Sequence, residues 1–331
     1  MSQEAHAVSA RIFSLDFVRS YVITMRPYLL FISGITGIVG LSFAPPIPTG
    51  TLAILAVAFF LSYGFGQALT DCFQTDTDSL SSPYRPLSQG RVRRGNVLAV
   101  SLTGLFAIGI ILTVAALINL VLSTVAVIGL ATYTYFKRRW WGGPWYNAWI
   151  VALLYLIAFV SGSGVASAAV AWNPPVLFTL VGVFFGYANF VLSGYFKDIS
   201  ADRATGYNTL PVVFGLKVSA VVSDVFAFLT LISCAAAIYT LSPSENAFPL
   251  NSYSLVVYVA GAATSVFAQL RLHIVYSEKD AHRAIAPVVH AYLLLLSAIA
   301  VAQRPDWAIA LIVFYAGFIV TMKFRPMAAQ I

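Results

Sequence analysis

The chain has 331 residues, of which 60% are hydrophobic and only 9% are charged, and its formal net charge is +7. A soluble domain carries about 25% charged residues, so this composition excludes an ordinary soluble protein. The long apolar runs have no polar face, which is typical of helices that are buried or that face lipid. We therefore predict an all-α, polytopic transmembrane helical bundle, and residues 1–20 do not resemble a signal peptide.

Ten apolar stretches are predicted to cross the membrane, which takes about 20 residues of helix. They run over residues 26–44, 51–70, 96–118, 121–136, 146–170, 175–196, 217–241, 253–270, 285–302 and 306–322. Pro-, Ser- and Asn-rich turns are predicted at residues 44–50, 171–175 and 241–252. Residues 1–22 are predicted to be a cytoplasmic lead-in with a short surface helix over 12–20. Residues 23–303 then form the main domain, and residues 304–331 add a span and a tail.

The basic residues predict which side of the membrane each connection faces. With both termini in the cytoplasm, 18 of the 19 Lys and Arg residues fall in cytoplasmic segments, and only Arg304 falls outside. Positive charge is enriched in cytoplasmic loops, so we expect a multi-pass protein of the inner, cytoplasmic membrane of a cell. The net charge then follows from topology and indicates no nucleic-acid partner. Segments 91–94 and 137–139 are expected to contact anionic membrane lipid.

The carboxylates are concentrated in two short stretches. Asp71, Asp76 and Asp78 follow the second predicted span, and Asp198 and Asp202 follow the sixth, so both groups lie on the cytoplasmic side. Spacings of four and seven residues place Asp198 with Asp202, and Asp71 with Asp78, on one helix face each. Like charges so placed repel one another, whereas Mg²⁺ binds carboxylate and phosphate oxygens together. The pattern predicts two groups of Mg²⁺ ligands that hold a diphosphate between them.

Basic side chains on the same side would neutralise phosphate oxygens; they are Arg85, Arg91, Lys137, Arg138, Lys197 and Arg203. One alternative is that all these charges are ordinary solvated residues at the membrane surface. Another is the ion site of a transporter, which usually needs charges at the middle of the bilayer. Only Asp224 lies inside a predicted span, near its cytoplasmic end, so the transporter hypothesis is weak.

Residues 195–215, YFKDISADRATGYNTLPVVFG, carry a specific pattern. They resemble the second motif of the UbiA superfamily of intramembrane prenyltransferases, D-x-x-x-D followed by R-x-x-G-x-x-T-L-P and a glycine. The matching positions are Asp198, Asp202, Arg203, Gly206, Thr209, Leu210, Pro211 and Gly215. Residues 85–90, 133–139 and 277–292 are also similar to family segments. The resemblance covers about residues 20–302, so the tenth span lies beyond the nine helices usual in the family.

The first motif departs from the family pattern N-x-x-x-D-x-x-x-D. In the register that keeps the family's distance to Arg85, Asp78 takes the last position and Asp71 matches a frequent second Asp. Thr70 then replaces the Asn, and Gln74 replaces the middle Asp.

A rival register places Gln67 and Asp71 in the first two positions and leaves Asp76 one residue late. In either register one expected metal ligand is missing or displaced. A similar loss occurs among UbiA-like terpene cyclases. We therefore expect this stretch to influence whether the reaction is prenyl transfer or cyclisation.

The resemblance implies an enzyme that uses Mg²⁺ to ionise an isoprenoid diphosphate and transfers the prenyl group to an unidentified hydrophobic acceptor. A terpene cyclase that closes the chain on itself is the close alternative. A non-catalytic protein that binds isoprenoid lipid is a third. A carbocation requires a dry pocket, which a bundle of this composition supplies.

The predicted site follows from the same resemblance. Asp71, Asp78, Asp198 and Asp202 are the predicted catalytic metal ligands, with Asp76 as a further ligand. Tyr133 and Tyr195 either hydrogen-bond the diphosphate or only anchor their helices. The predicted pocket residues are Gln67, Thr70, Gln74 and Asn189.

Overall fold

The computed structural model describes residues 9–163, 173–241 and 252–325. Within these ranges the chain is all-helical and has no strand, which confirms the predicted fold class. The predicted turn at 241–252 lies largely outside the described residues, as do residues 1–8 of the lead-in and residues 326–331 of the tail. Of the predicted turn at 171–175, residues 173–175 are described, and there Asn173 caps the helix that begins at Pro174.

Thirteen α-helices follow one another in the described ranges. They are α1 (Leu15–Met25), α2 (Leu30–Ser42), α3 (Thr49–Asp71), α4 (Thr75–Ser81), α5 (Arg94–Ala115), α6 (Asn119–Lys137), α7 (Gly143–Ser163), α8 (Pro174–Gly194), α9 (Ile199–Ala204), α10 (Leu210–Thr240), α11 (Ser252–His273), α12 (His282–Gln303) and α13 (Ala308–Lys323). Short 3₁₀ turns precede α2, α12 and α13 and follow α8.

Nine of the described helical segments are long and apolar enough to cross a membrane, and the bent pair α1–α2 makes a tenth if it counts as one span. The bend is 41°. It occurs because Arg26 ends α1 in the left-handed region, with φ of 54°, and Pro27 cannot continue the helix. The predicted surface helix and first span are therefore the two halves of this bent pair.

The core of the bundle is formed by α2, α7, α8 and α12, whose buried side chains form one large cluster. The helices α11 and α13 contribute a few residues to this cluster, such as Leu272 and Phe318, whereas α5 and α6 lie outside it. These four helices present apolar side chains outward, such as Phe106, Ile128 and Ile312. Such a surface suits lipid and not water. Close packing of α2 on α3 depends on Gly37, since a Cβ there would lie 2.4 Å from the Cβ of Phe59.

The helix α13 packs beside α2 and α12. The rings of Phe314 and Phe31 lie 4.8 Å apart, and the Tyr315 hydroxyl lies 2.7 Å from Nδ1 of His290. Arg304, the one basic residue predicted outside the cytoplasm, donates hydrogen bonds to the carbonyls of Ser42 and Ala44 at the end of α2.

Two short helices, α4 and α9, follow the ends of α3 and α8 and bring the two acidic stretches together. The hydroxyls of Thr77 in α4 and Thr205 after α9 lie 2.7 Å apart. The helix α10 is interrupted at Gly215, whose φ of 79° is left-handed and favours glycine. The fold thus places both acidic stretches at one end of the bundle.

Candidate active site

A polar cavity of about 700 Å³ lies at this end, between α3, α4, α6 and α8. Its walls carry both signs of charge. The ionic lining residues are Arg26, Arg85, Lys137 and Lys197, together with Asp71, Asp78 and Asp198.

The first acidic stretch forms one wall. Asp71 is almost fully buried, and each of its oxygens lies 2.9 Å from Nη2 of Arg26. Gln67 donates a hydrogen bond of 2.7 Å to the same carboxylate. Arg85 lies 2.6 Å from Asp78 and 4.0 Å from Asp71. Two carboxylates and two guanidinium groups therefore form one network, in which the negative charges of Asp78 and Asp71 raise the pKa of Arg85 despite its burial.

The second acidic stretch lies on the opposite wall, where α8 gives way to α9. Asp198 is half-buried and lines the cavity. Asp202 is fully buried behind it, with one oxygen 3.5 Å from Nζ of Lys137 and the other accepting a hydrogen bond of 3.2 Å from Thr209. Burial raises the pKa of Asp202 to about 6, although the charge of Lys137 opposes the rise.

Lys137 links the two walls. Its Nζ donates to Oε1 of Gln74 at 3.2 Å, so the glutamine that departs from the family pattern faces a cation. The rings of Tyr195 and Tyr207 lie 5.3 and 5.2 Å from the same Nζ, within the range of cation–π attraction. The hydroxyls of Tyr195 and Tyr133 lie 2.7 Å apart, and both rings line the cavity.

Several predicted site residues lie elsewhere. Asp76 is exposed and forms an ion pair of 3.0 Å with Arg138, while Tyr207 donates a hydrogen bond to its other oxygen. Arg203 is exposed at the surface. Asn189 is buried and accepts a hydrogen bond from Ser223 of α10.

Within the predicted pocket set, Gln67, Thr70 and Gln74 line the cavity. The structure therefore places Asp71 and Asp78 in the cavity wall and Asp76 outside it. This arrangement matches the register that keeps the distance to Arg85.

Four further lining residues with polar side chains were not predicted from the sequence: Arg26, Tyr63, Asn147 and Tyr187. Arg26 could have been identified from the sequence, because it precedes a proline. A proline there breaks the helix, and such a break can direct the Arg26 side chain into the bundle. A non-glycine residue with positive φ is uncommon and often marks a functional position. The other three lie on long apolar helices, where periodicity does not reveal which face meets a cavity.

An apolar chamber of about 830 Å³ continues from the polar cavity toward the middle of the bundle. The two share Tyr63, Gln67, Thr70, Asn147 and Tyr187, which form the junction. Leu112, Leu154 and Ile157 are among the lining residues deepest along the helices. On α7 the lining extends from Asn147 to Ile157, ten residues or about 15 Å of helix.

The chamber has a side opening toward the outer surface of the bundle. A groove between α5 and α6 shares Leu105, Gly109, Ser123 and Val127 with the chamber. The remaining groove residues include Phe106 and Ile128, which are exposed on the lipid-facing surface. The site therefore joins a polar end to an apolar end that opens toward lipid.

The donor set fits a diphosphate and its cations better than a bare metal ion. Across the described ranges, no three Asp, Glu, His or Cys side chains lie close enough to hold a metal by themselves. The reason is that the carboxylates stand on opposite walls and pair with Arg26, Arg85 and Lys137. Mg²⁺ typically takes one or two carboxylates and completes its shell with phosphate and water oxygens.

Unsatisfied atoms at the cavity support the same fit. Nε of Arg26, Nε of Arg85 and Oδ1 of Asp202 are buried, and none of them has a hydrogen-bond partner among the described residues. Two guanidinium donors suit phosphate oxygens. Oδ1 of Asp202 lies behind the cavity wall, 3.5 Å from Nζ of Lys137, so this carboxylate is already beside a cation.

Comparisons with known proteins agree with this geometry. The profile of the UbiA prenyltransferase family matches residues 30–292. A digeranylgeranylglyceryl phosphate synthase of Thermococcus sibiricus is 28% identical over 72% of this chain and 82% of its own length. The synthase of the same name from Pyrococcus furiosus is 30% identical over 65% of this chain and 76% of its own length.

Solved structures show the same fold. A UbiA homolog from Aeropyrum pernix K1 superposes with a TM-score of 0.64 at 19% identity, over 88% of this chain and 98% of that one. A UbiA homolog from Archaeoglobus fulgidus bound to GPP and Mg²⁺ has a TM-score of 0.63 at 15% identity, over 86% and 99% of the two chains.

Proposed function

Since the chain belongs to the UbiA prenyltransferase family, we propose that it transfers the prenyl group of an isoprenoid diphosphate to a hydrophobic acceptor, with Mg²⁺ as cofactor. The observation that carries this proposal is the joined pair of cavities. A polar cavity with carboxylates and cations on facing walls opens into an apolar chamber. A molecule with a diphosphate head and an isoprenoid tail has the same polarity pattern.

The head of the donor fits the polar cavity. Arg26 and Arg85 would donate their unsatisfied Nε hydrogens to diphosphate oxygens. Asp71 and Asp78 on one wall, and Asp198 with Asp202 on the other, are the residues that would hold Mg²⁺. Bound there, Mg²⁺ would offset the negative charge that develops on the leaving diphosphate.

The tail fits the apolar chamber, whose walls exclude water from the reacting carbon. The rings of Tyr63 and Tyr187 lie at the junction of the two cavities. Aromatic faces attract a neighbouring cation, so these two tyrosines are placed where positive charge would develop on the prenyl group.

The acceptor that we favour is a glyceryl phosphate lipid. The relatives are named for making digeranylgeranylglyceryl phosphate, so the corresponding acceptor would be a glyceryl phosphate that already carries one prenyl chain. A surface cleft lined by Lys197, Asp198, Lys279 and His282 lies next to the polar cavity. It provides space for a polar head group beside Asp198. We place this face in the cytoplasm because the basic residues are concentrated there.

A terpene cyclase is the second candidate. The observation that favours it is the altered first motif, where Gln74 stands in place of an expected Asp and bonds to Lys137. Gln74 is neutral, so this wall offers one carboxylate fewer to a metal.

The test is a turnover assay of the protein purified in detergent. Geranyl, farnesyl and geranylgeranyl diphosphates are supplied with Mg²⁺, with and without a prenylated glyceryl phosphate. We expect diphosphate release only when the acceptor is present, and its loss when EDTA removes Mg²⁺. Cyclic hydrocarbon products without an acceptor would instead establish the cyclase. No Mg²⁺-dependent release with any donor would contradict both candidates.

The side opening gives a prediction about donor length. A Cβ at Gly109 would meet no atom within 4 Å, and Gly109 lines both the chamber and the outer groove. Gly109→Leu would place a side chain in the opening. We expect kcat/KM for geranylgeranyl diphosphate to fall about tenfold to a hundredfold, with a smaller effect for geranyl diphosphate. Competition between the two donors measures this change.

The matched control is Gly95→Leu in the first turn of the same helix. A Cβ at Gly95 also meets open space, but Gly95 lines neither cavity. Leucine is a better helix former than glycine, so neither variant should lose stability. Equal effects on both donors would contradict a role of this opening in accommodating the tail.

A further inference from the structure

The connection between α11 and α12 contacts the second acidic stretch. A carboxylate oxygen of Glu278 in this connection accepts a hydrogen bond of 2.9 Å from the backbone N–H of Ser200. The same oxygen accepts a short hydrogen bond from the Ser200 hydroxyl. Ser200 lies between Asp198 and Asp202, in the first turn of α9. A residue 78 positions away in sequence thus fixes the backbone that carries two predicted metal ligands.

The position of Asp198 makes this contact informative. Asp198 immediately precedes α9, where an aspartate ordinarily accepts a hydrogen bond from the N–H two or three residues later. Ser200 is the residue two positions on. The Asp198 side chain makes no such capping bond, and its φ of −113° and ψ of 10° differ from the extended backbone usual at that position. Instead, Glu278 accepts the hydrogen bond from the Ser200 N–H, and Asp198 lines the polar cavity.

We propose that Glu278 is a positioning residue that caps α9 in place of Asp198 and thereby leaves the Asp198 carboxylate available to a bound cation. This inference rests on the proposed function, because that function places Mg²⁺ between the two acidic stretches. Glu278 lies outside both acidic stretches, and it influences binding of the cation through Ser200 and Asp198.

The test compares three variants. Glu278→Ala removes the acceptor, and Asp198 then turns to cap Ser200. Loss of a cap corresponds to about a fivefold to tenfold change in an equilibrium, so we expect the Mg²⁺ concentration for half-saturation to rise by that factor. Glu278→Gln keeps one acceptor oxygen and should show a smaller rise. Asp280→Asn is the matched control, since Asp280 lies in the same turn but its carboxylate forms its hydrogen bond with Ser277 and its ion pair with Arg283, away from Ser200.

Binding is measured by calorimetric titration of Mg²⁺ into purified protein with inorganic diphosphate, alongside turnover at varied Mg²⁺ and the midpoint of thermal unfolding. The expected result is weaker Mg²⁺ binding in Glu278→Ala, with turnover recovered at high Mg²⁺ and an unchanged midpoint. A lower midpoint or lower turnover with unchanged Mg²⁺ binding would overturn the inference. Wild-type protein that shows no Mg²⁺-dependent turnover would instead contradict the proposed function.

Discussion

Asp198→Ala is expected to reduce turnover of the prenyl diphosphate by about 10³-fold, since metal-assisted stabilisation of a leaving group contributes several kcal/mol. Asp198 lines the polar cavity and is only half-buried, so its removal should cost little stability. Asp78→Asn should reduce turnover comparably, because Asp78 is the carboxylate of the first wall that pairs with Arg85 at 2.6 Å. Initial rates at saturating donor and Mg²⁺ measure both effects.

Asp76→Asn is the matched control from the same acidic stretch. Asp76 is exposed, and its ion pair with Arg138 lies outside the lining of the cavity. Exposed ion pairs contribute about 0–1 kcal/mol, so we expect turnover to stay within about threefold of wild type. Loss of turnover in Asp76→Asn with retention in Asp78→Asn would favour the rival register and contradict the assignment made from the structure.

Lys137→Ala is expected to lower the free energy of unfolding by about 3–5 kcal/mol, because it leaves the buried carboxylate of Asp202 without its cation. Asp202 is fully buried and lies 3.5 Å from Lys137 Nζ. The pKa of Asp202, already raised to about 6 by burial, should rise further in this variant because the opposing charge of Lys137 is gone. Thermal unfolding in detergent at neutral pH measures the loss of stability.

Arg138→Ala is the control at the next position, since Arg138 is exposed, where it pairs with Asp76 and lies over the ring of Tyr207. It should change the unfolding midpoint very little. The double variant Lys137→Met with Asp202→Asn removes both charges and should recover most of the stability while remaining inactive. Equal destabilisation by Lys137→Ala and Arg138→Ala would contradict the claim that burial of the Lys137–Asp202 pair causes the loss of stability.

The tyrosines show how far sequence alone could define the site. Tyr133 and Tyr195 were predicted from their family positions, and the structure puts their hydroxyls 2.7 Å apart in the cavity wall. Tyr63 and Tyr187 have no comparable motif, because each lies within a long apolar helix. Sequence analysis did not identify Glu278 either, since its partner Ser200 is remote in sequence.

The sequence by itself determined the all-helical, multi-span architecture, because a chain with 9% charged residues must place its apolar helices in lipid. It also determined that the two acidic stretches lie at the same end of the bundle, since the parity of spans and the bias of basic residues leave no other arrangement.

Only the tertiary structure decided which carboxylates line the cavity. Asp76 and Asp78 are two residues apart, yet a helix turns by about 200° between them, so one meets Arg138 outside and the other meets Arg85 inside. The contacts of Arg26 with Asp71 and of Glu278 with Ser200 depend likewise on how distant helices pack. Local sequence patterns specify which side chains of each helix are buried. The packing of the whole bundle determines which residues those side chains contact.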